Sequence, residues 1–140
     1  MKKENTKYAG FTFDVDGFPG VAVINSDLKD DEQRFEFPYS VFIEIIPESY
    51  NEIGHPIEEE SKFLNEIEDE IVKFLEAKTR SIHVGSTILP KKKEIIFYTK
   101  MPDAVKSFLE RYLLFIQRRY NFEISLDQEW ESVAGFYNQL

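Results

Sequence analysis

The sequence predicts an α+β domain built on an antiparallel sheet, and three features predict it. Short runs alternate apolar with polar residues and are bounded by Gly, Pro and Asp, the signature of strands. Two longer stretches, 57–77 and 102–119, repeat apolar residues every three or four positions, the period of amphipathic helices. The runs follow the order β-β-β-α-β-β-α-β-α, of which Tyr39 to Leu126 is β-α-β-β-α-β. The expected fold is therefore a ferredoxin-like βαββαβ core with an added N-terminal β-hairpin and a short C-terminal helix. It spans residues 1–140 as one domain, because no linker or repeat interrupts the pattern.

Each element has a local reason. In residues 8–28, Phe11, Phe13 and Val15 alternate with Thr12, Asp14 and Asp16, and Val21–Ile24 resume a strand. Asp16-Gly17 between the two runs predicts a hairpin, since both residues tolerate positive φ. Asp27–Gln33 reads as a polar loop. Tyr39–Ile46 is apolar on both faces apart from Glu44, which predicts a central strand flanked by 94–99 and 121–126. Pro56 and Glu58–Glu60 suit a helix start, where a proline lacks only an unneeded donor and acids meet the positive helix end. Phe63, Leu64, Ile67, Ile71, Phe74 and Leu75 then form the buried stripe. Ser81–Leu89 and Glu94–Lys100 are two strands joined by Pro90 and Lys91–Lys93. Pro102-Asp103 opens the second helix, which faces inward through Val105, Phe108, Leu109, Tyr112, Leu113 and Ile116 and closes on Arg118-Arg119. Phe122, Ile124 and Leu126 mark the last strand. Trp130, Val133, Ala134 and Tyr137 predict a short closing helix with Trp130 buried. Right-handed crossovers place both long helices on one face, and the hairpin either extends the sheet or covers the other face.

Charge narrows the function classes. The net charge is −9, with 19 acids against 7 bases in residues 1–77 and 10 bases against 3 acids in residues 78–119. An acidic whole disfavours nucleic acid and anionic membranes as partners, whose affinity comes from basic charge. It suits another protein as partner, a basic one in particular. Cysteine is absent, so disulfides, thiolate metal sites and cysteine nucleophiles are excluded. No apolar run is long enough to span a bilayer, and the basic start lacks the apolar stretch of a signal peptide, so the chain reads as cytoplasmic.

The pieces DVDGFPGVAVINSDL, FPYSVFIEI, IGHPIEEESKFLNEIEDEI, HVGS, EIIFYTK and SLDQEWESVAGFYNQL occur in that order. In an Asp-Gly hairpin, a Phe-Pro before the central strand, an acidic helix with Ile67-Glu68-Asp69, and a late Asp-x-Glu-Trp, the chain resembles a bacterial family of unknown function. That family is number 695 in the domain-of-unknown-function series. In fold the family is similar to regulator of ribonuclease activity B, a small acidic inhibitor with a ferredoxin-like domain. The resemblance implies a binding role, with no catalytic residues to carry over.

The constellations that could carry chemistry have simpler readings. Asp14-Val15-Asp16-Gly17 after a strand looks like the nucleophile motif of haloacid-dehalogenase-type phosphatases, in which one Asp attacks phosphorus and the next protonates the leaving group. Phe18 stands where Thr or Val follows that motif, and the nearest acidic pair, Asp30-Asp31, comes too soon, so a hairpin turn explains it better. His55 and His83 lack any metal-binding spacing and read as a loop histidine and a sheet-face histidine. Lys93–Lys100 lacks the glycines of an RNA-stacking strand. On the first helix, Glu58, Lys62, Glu66, Asp69, Lys73 and Glu76 face outward, mostly as a salt-bridge-laced solvent face. The expectation is a non-catalytic protein-binding or regulatory module, nuclease-inhibitor-like. Glu58, Glu59, Glu66 and Asp69 are its partner-binding residues, and it has neither metal nor cofactor. The alternative is a small carboxylate- or metal-dependent hydrolase, which requires a concave pocket gathering Asp14, Asp16 and His83.

Overall fold

The computed structural model describes residues 8–140, so the reading of the first residues as no signal peptide lies outside it. Six antiparallel strands form one sheet: β1 (Tyr8–Val15), β2 (Phe18–Asn25), β3 (Tyr39–Ile46), β4 (Ser81–Leu89), β5 (Lys92–Thr99) and β6 (Arg119–Leu126). Their spatial order is β1-β2-β4-β5-β3-β6. Three helices complete the fold: α1 (Glu58–Lys78), α2 (Pro102–Tyr112) and α3 (Ala134–Asn138). None of the helices described is long and apolar enough to cross a membrane.

The two-faced strand β3 lies where its composition puts it, between β5 and β6. Val41, Ile43 and Ile45 point to one face, where they meet Ile95 and Phe97 of β5 and the buried stripes of α1 and α2 in a single cluster. Phe74 of α1 stacks on Phe108 of α2 at 4.0 Å between ring centroids. Phe42 of β3, with Ile96 and Tyr98 of β5, faces the other way, into a second cluster built from Ala22, Ile24, Trp130, Val133 and Tyr137. The closing segment therefore covers the face that the long helices leave open.

The N-terminal hairpin extends the sheet by pairing β2 with β4. Its turn is Asp16-Gly17, with φ of 52° and 90°, the left-handed pair that matches strand twist. The docking depends on a bulge in β4 between His83 and Gly85. Gly85 has φ 150°, and any side chain there would run into the Val23 carbonyl of β2.

Three boundaries correct the sequence reading. The β4–β5 turn is Pro90-Lys91 alone, because Lys92 pairs with Leu89 and Lys93 with Ile88. The second helix stops at Tyr112 and not at 119; a single 3-10 turn, Leu113–Phe115, follows it. Arg118 and Arg119 do not close a helix. Gln117 takes φ 61°, which ends the helical path, Arg118 forks onto Glu60 at 2.8 Å through both Nε and Nη2, and Arg119 begins β6. The closing helix is shorter than its apolar spacing suggests. Trp130 is the left-handed residue (φ 59°) ahead of a 3-10 turn, Glu131–Val133, and α3 begins only at Ala134.

Candidate functional site

Two concave regions flank α1. The first is a groove of about 480 Å³ between α1 and the outer strands, floored by Tyr8, Val23, His83 and Ser86 and walled by Asn65, Glu68, Asp69 and Val72. Its charges are linked. The Glu68 Oε2 atom lies 2.8 Å from His83 Nε2, and Oε1 lies 2.8 Å from Lys93 Nζ. The Lys93 ammonium also donates to Asn65 Oδ1 at 2.8 Å, and the Tyr8 hydroxyl lies 2.9 Å from His83 Nδ1. Helix α1, strands β1, β4 and β5, and the bulge at Gly85 together bring these side chains to one place.

The sequence carried a signal for this network. Glu68 falls on the stripe Leu64, Glu68, Ile71, Leu75, and Lys93 falls on the β5 face shared with Ile95 and Phe97. Lys93 is 2% exposed. A buried cation next to a buried carboxylate is stable only as a pair. Burial opposes the Glu68 charge, but the His83 hydrogen bond and the Lys93 ammonium outweigh it and hold the carboxyl at about 2. Since Glu68 is ionised, His83 Nε2 carries the proton, and in neutral His83 the Tyr8 hydroxyl donates to Nδ1.

Hydroxyl, imidazole and carboxylate in sequence is the order of a nucleophile, its base and an orienting acid. Burial, with Glu76, Glu68 and Asp27 nearby, pushes the Tyr8 hydroxyl up to about 12, so it stays protonated near neutrality. Glu68 is spent on Lys93 and His83. The network acts as a clamp that fixes the edge hairpin to α1.

The second region is a cleft of about 420 Å³ between α1 and the end of α2. Phe63, Glu66, Glu70, Tyr112, Phe115 and Gln117 line it. The Tyr112 hydroxyl donates to Glu70 Oε1 at 2.6 Å, and burial together with that carboxylate raises its pKa. Phe115 of the lining is 80% exposed, and Leu114, its neighbour in the chain, is 67% exposed. Glu66 and Glu70 are the charged residues of the lining, and both are acidic.

The four acids read from the sequence as partner-binding do not share one cleft. Glu58 and Glu59 are exposed in the first turn of α1, Glu66 lines the cleft toward α2, and Asp69 lines the groove toward β2. Glu60 and Glu68, between them, are buried and paired. Asp14, Asp16 and His83 are not gathered either. Asp14 pairs with Pro19 at the hairpin tip, six residues and roughly 20 Å along β1 from the Tyr8 that touches His83. His55 is a loop residue whose Nε2 lies 2.7 Å from the Pro19 carbonyl. Among the described residues no group of three or more His, Asp or Glu takes a metal-binding arrangement. Asp14→Asn with Asp16→Asn is therefore expected to change stability by less than about 0.5 kcal/mol, the usual range for exposed turn positions. Asn tolerates φ of 52° and keeps the oxygen that accepts from the Gly17 amide at 3.1 Å. A denaturant titration of wild type and double mutant checks this.

The motifs that carried the family resemblance meet one another in space. Trp130 Nε1 donates to the Phe37 carbonyl at 2.9 Å and Asp127 N to the Pro38 carbonyl at 2.7 Å, so Phe-Pro holds Asp-x-Glu-Trp. Glu68 of the helix motif holds His83 of HVGS. Residues 7–137 match the family described as Family of unknown function (DUF695). The chain belongs to that family. No curated protein and no solved structure matches the chain in the same comparisons. DUF695 in this chain thus appears as a sheet closed on both faces, with the clamp and the cleft on either flank of α1.

Proposed function

We propose that this DUF695 protein is a non-catalytic protein-binding module, and that its docking surface is the acidic cleft between α1 and α2. The observation that carries the proposal is the 80% exposure of Phe115 in the lining of a cleft whose charges are Glu66 and Glu70, with Leu114, its neighbour in the chain, 67% exposed. Adjacent large apolar side chains left in water beside a polar rim mark interaction surfaces, whereas scattered single ones do not. The partner is a protein segment that presents an apolar side chain flanked by Lys or Arg. Glu58, Glu59 and Asp69 extend the same negative field along α1 and steer such a segment toward it.

A ferredoxin-like scaffold is part of the proposal. Numbered within the βαββαβ core, the strand order β6-β3-β5-β4 is fourth, first, third, second, and both long helices pack in the cluster on one face. That order supports the likeness to regulator of ribonuclease activity B and, with it, an inhibitor-like regulatory role. The acidic, cysteine-free composition fits a cytoplasmic setting.

The test is affinity capture from the native cell extract with wild type, Phe115→Ser, and a Glu66→Lys/Glu70→Lys double variant. A protein retained by wild type is expected to fall about tenfold or more with each variant, the loss of a central aromatic anchor or of a complementary charge pair. The Asp14→Asn/Asp16→Asn variant is expected to retain it in full. An unchanged set of captured proteins in both cleft variants contradicts the proposal.

A further inference from the structure

We propose that the protein forms a twofold homodimer through the free edge of β6, in the register that places Arg119 of one copy opposite Glu123 of the other. The inference is independent of the cleft reading. Among the described residues, strand β6 pairs with β3 on one side only and is an end strand of the sheet. Its eight residues contain no proline and no bulge against β3, two of the devices by which proteins blunt such an edge.

The backbone direction follows from the hydrogen bonds to β3. The Asp127 amide donates to the Pro38 carbonyl, so alternation turns the odd-numbered residues of β6 toward β3. The amides and carbonyls of Tyr120, Phe122 and Ile124 then point to the open edge. In an antiparallel pair of two β6 strands about a twofold axis perpendicular to the sheet, opposing residues share a face. With the axis at Asn121, Tyr120 lies opposite Phe122 of the second copy as a hydrogen-bonded pair, and Arg119 lies opposite its Glu123 as the closer, non-hydrogen-bonded pair. Both contacts occur twice.

The side chains suit that register. Tyr120 and Phe122 are half-buried on the helix face, packed against the cluster there, and keep ring surface for a neighbour. Arg119 and Glu123 are exposed on the opposite face. No ion pair joins either to another described residue, although Arg118, one position earlier, is paired with Glu60 and Glu48. Moving the axis to Glu123 sets Glu123 against itself, and moving it to Phe122 leaves Arg119 opposite Ser125. Only the Asn121-centred register pairs the charges.

The experiment is sedimentation equilibrium of the full chain at roughly 100 μM, where a micromolar dimer is mostly assembled, and at about 0.15 M salt, which screens the net charge beyond some 8 Å. Wild type is expected to sediment as a dimer, and Arg119→Glu and Glu123→Arg each as a monomer. The double swap Arg119→Glu/Glu123→Arg is expected to restore the dimer. Glu123→Arg lowers the net negative charge, so its dissociation reports the local pairing and not overall repulsion. Unchanged circular dichroism and melting of the variants show that the fold is kept, as the exposure of both positions predicts. A monomeric wild type, a dimer indifferent to either reversal, or a swap that fails to reassociate overturns the proposal.

Discussion

Trp130→Ala is expected to cost about 3–5 kcal/mol of folding stability, the loss seen when a large core aromatic is truncated. The indole is 2% exposed and stacks on Tyr98 with ring centroids 3.9 Å apart. Its Nε1–H donates to the Phe37 carbonyl, which ties the closing segment to the chain just ahead of β3. Truncation therefore removes both a packing partner for the sheet and a hydrogen bond to a carbonyl. Trp130→Phe keeps most of the packing and loses the hydrogen bond, so a smaller loss of about 1–2 kcal/mol is expected. The midpoints of urea unfolding separate the three proteins. A midpoint unmoved by Trp130→Ala contradicts the view that the C-terminal segment is the second layer of the core.

Glu68→Ala is expected to destabilise by a similar amount, about 3–5 kcal/mol, because it leaves the Lys93 ammonium buried without its counter-charge. Lys93 is 2% exposed, and among the described residues only Asn65 then remains to it. The pair need not itself be a large net source of stability. Replacing both members, Glu68→Leu with Lys93→Met, removes the stranded charge and is expected to recover most of the loss. Two single losses that simply add in the double variant contradict the coupling. The same carboxylate fixes a pH dependence. Its pKa falls from the ordinary 4.5 to about 2 on folding, so the folded state binds fewer protons there than the unfolded state. The stabilisation is fully present above about 4.5 and is lost as pH falls through about 2. Glu68→Gln is expected to flatten that part of the acid-unfolding curve. A curve of unchanged slope contradicts the assignment of the proton to Glu68.

Much of the sheet is legible in the sequence because its signals are local. Asp16-Gly17 specifies a turn by φ alone, and the two-faced Tyr39–Ile46 can satisfy both its apolar sides only inside the sheet. The central placement of β3 and the burial of Trp130 follow from such reasoning. The end of α2 does not. Helical spacing continues through Ile116, and what breaks it is a tertiary event, the fork of Arg118 onto Glu60 58 residues away in sequence. A helix to 119 leaves no meaning for Leu114-Phe115, two apolar residues off its inner face; both are exposed, and Phe115 lines the cleft.

The sites were less legible than the sheet. The outward acids of α1 point to Glu58, Glu59, Glu66 and Asp69, whereas the buried, ion-paired acids are Glu60 and Glu68. Yet Glu68 sat on the apolar stripe from the start, and a carboxylate there requires a partner. That partner, Lys93, reads in the sequence as a turn residue, because three consecutive lysines after a proline look like a solvated loop. The actual turn, Pro90-Lys91, depends on Lys91 taking φ 61° and on its amide donating to the Gly54 carbonyl at 2.7 Å, a contact with a distant loop. Long-range contacts of that kind leave no mark in periodicity.

The most direct test of the binding role is site-specific photocrosslinking in the native cell, with a photoreactive phenylalanine analogue placed at position 115 and, as a control, at position 18. Phe18 is also exposed, at 49%, but sits at the hairpin tip and is not part of the cleft lining. A discrete protein adduct from position 115, absent from position 18 and abolished by Glu66→Lys/Glu70→Lys, is the predicted result. No adduct from position 115, or the same adducts from both positions regardless of the cleft charges, contradicts the assignment of the α1–α2 cleft as the docking surface.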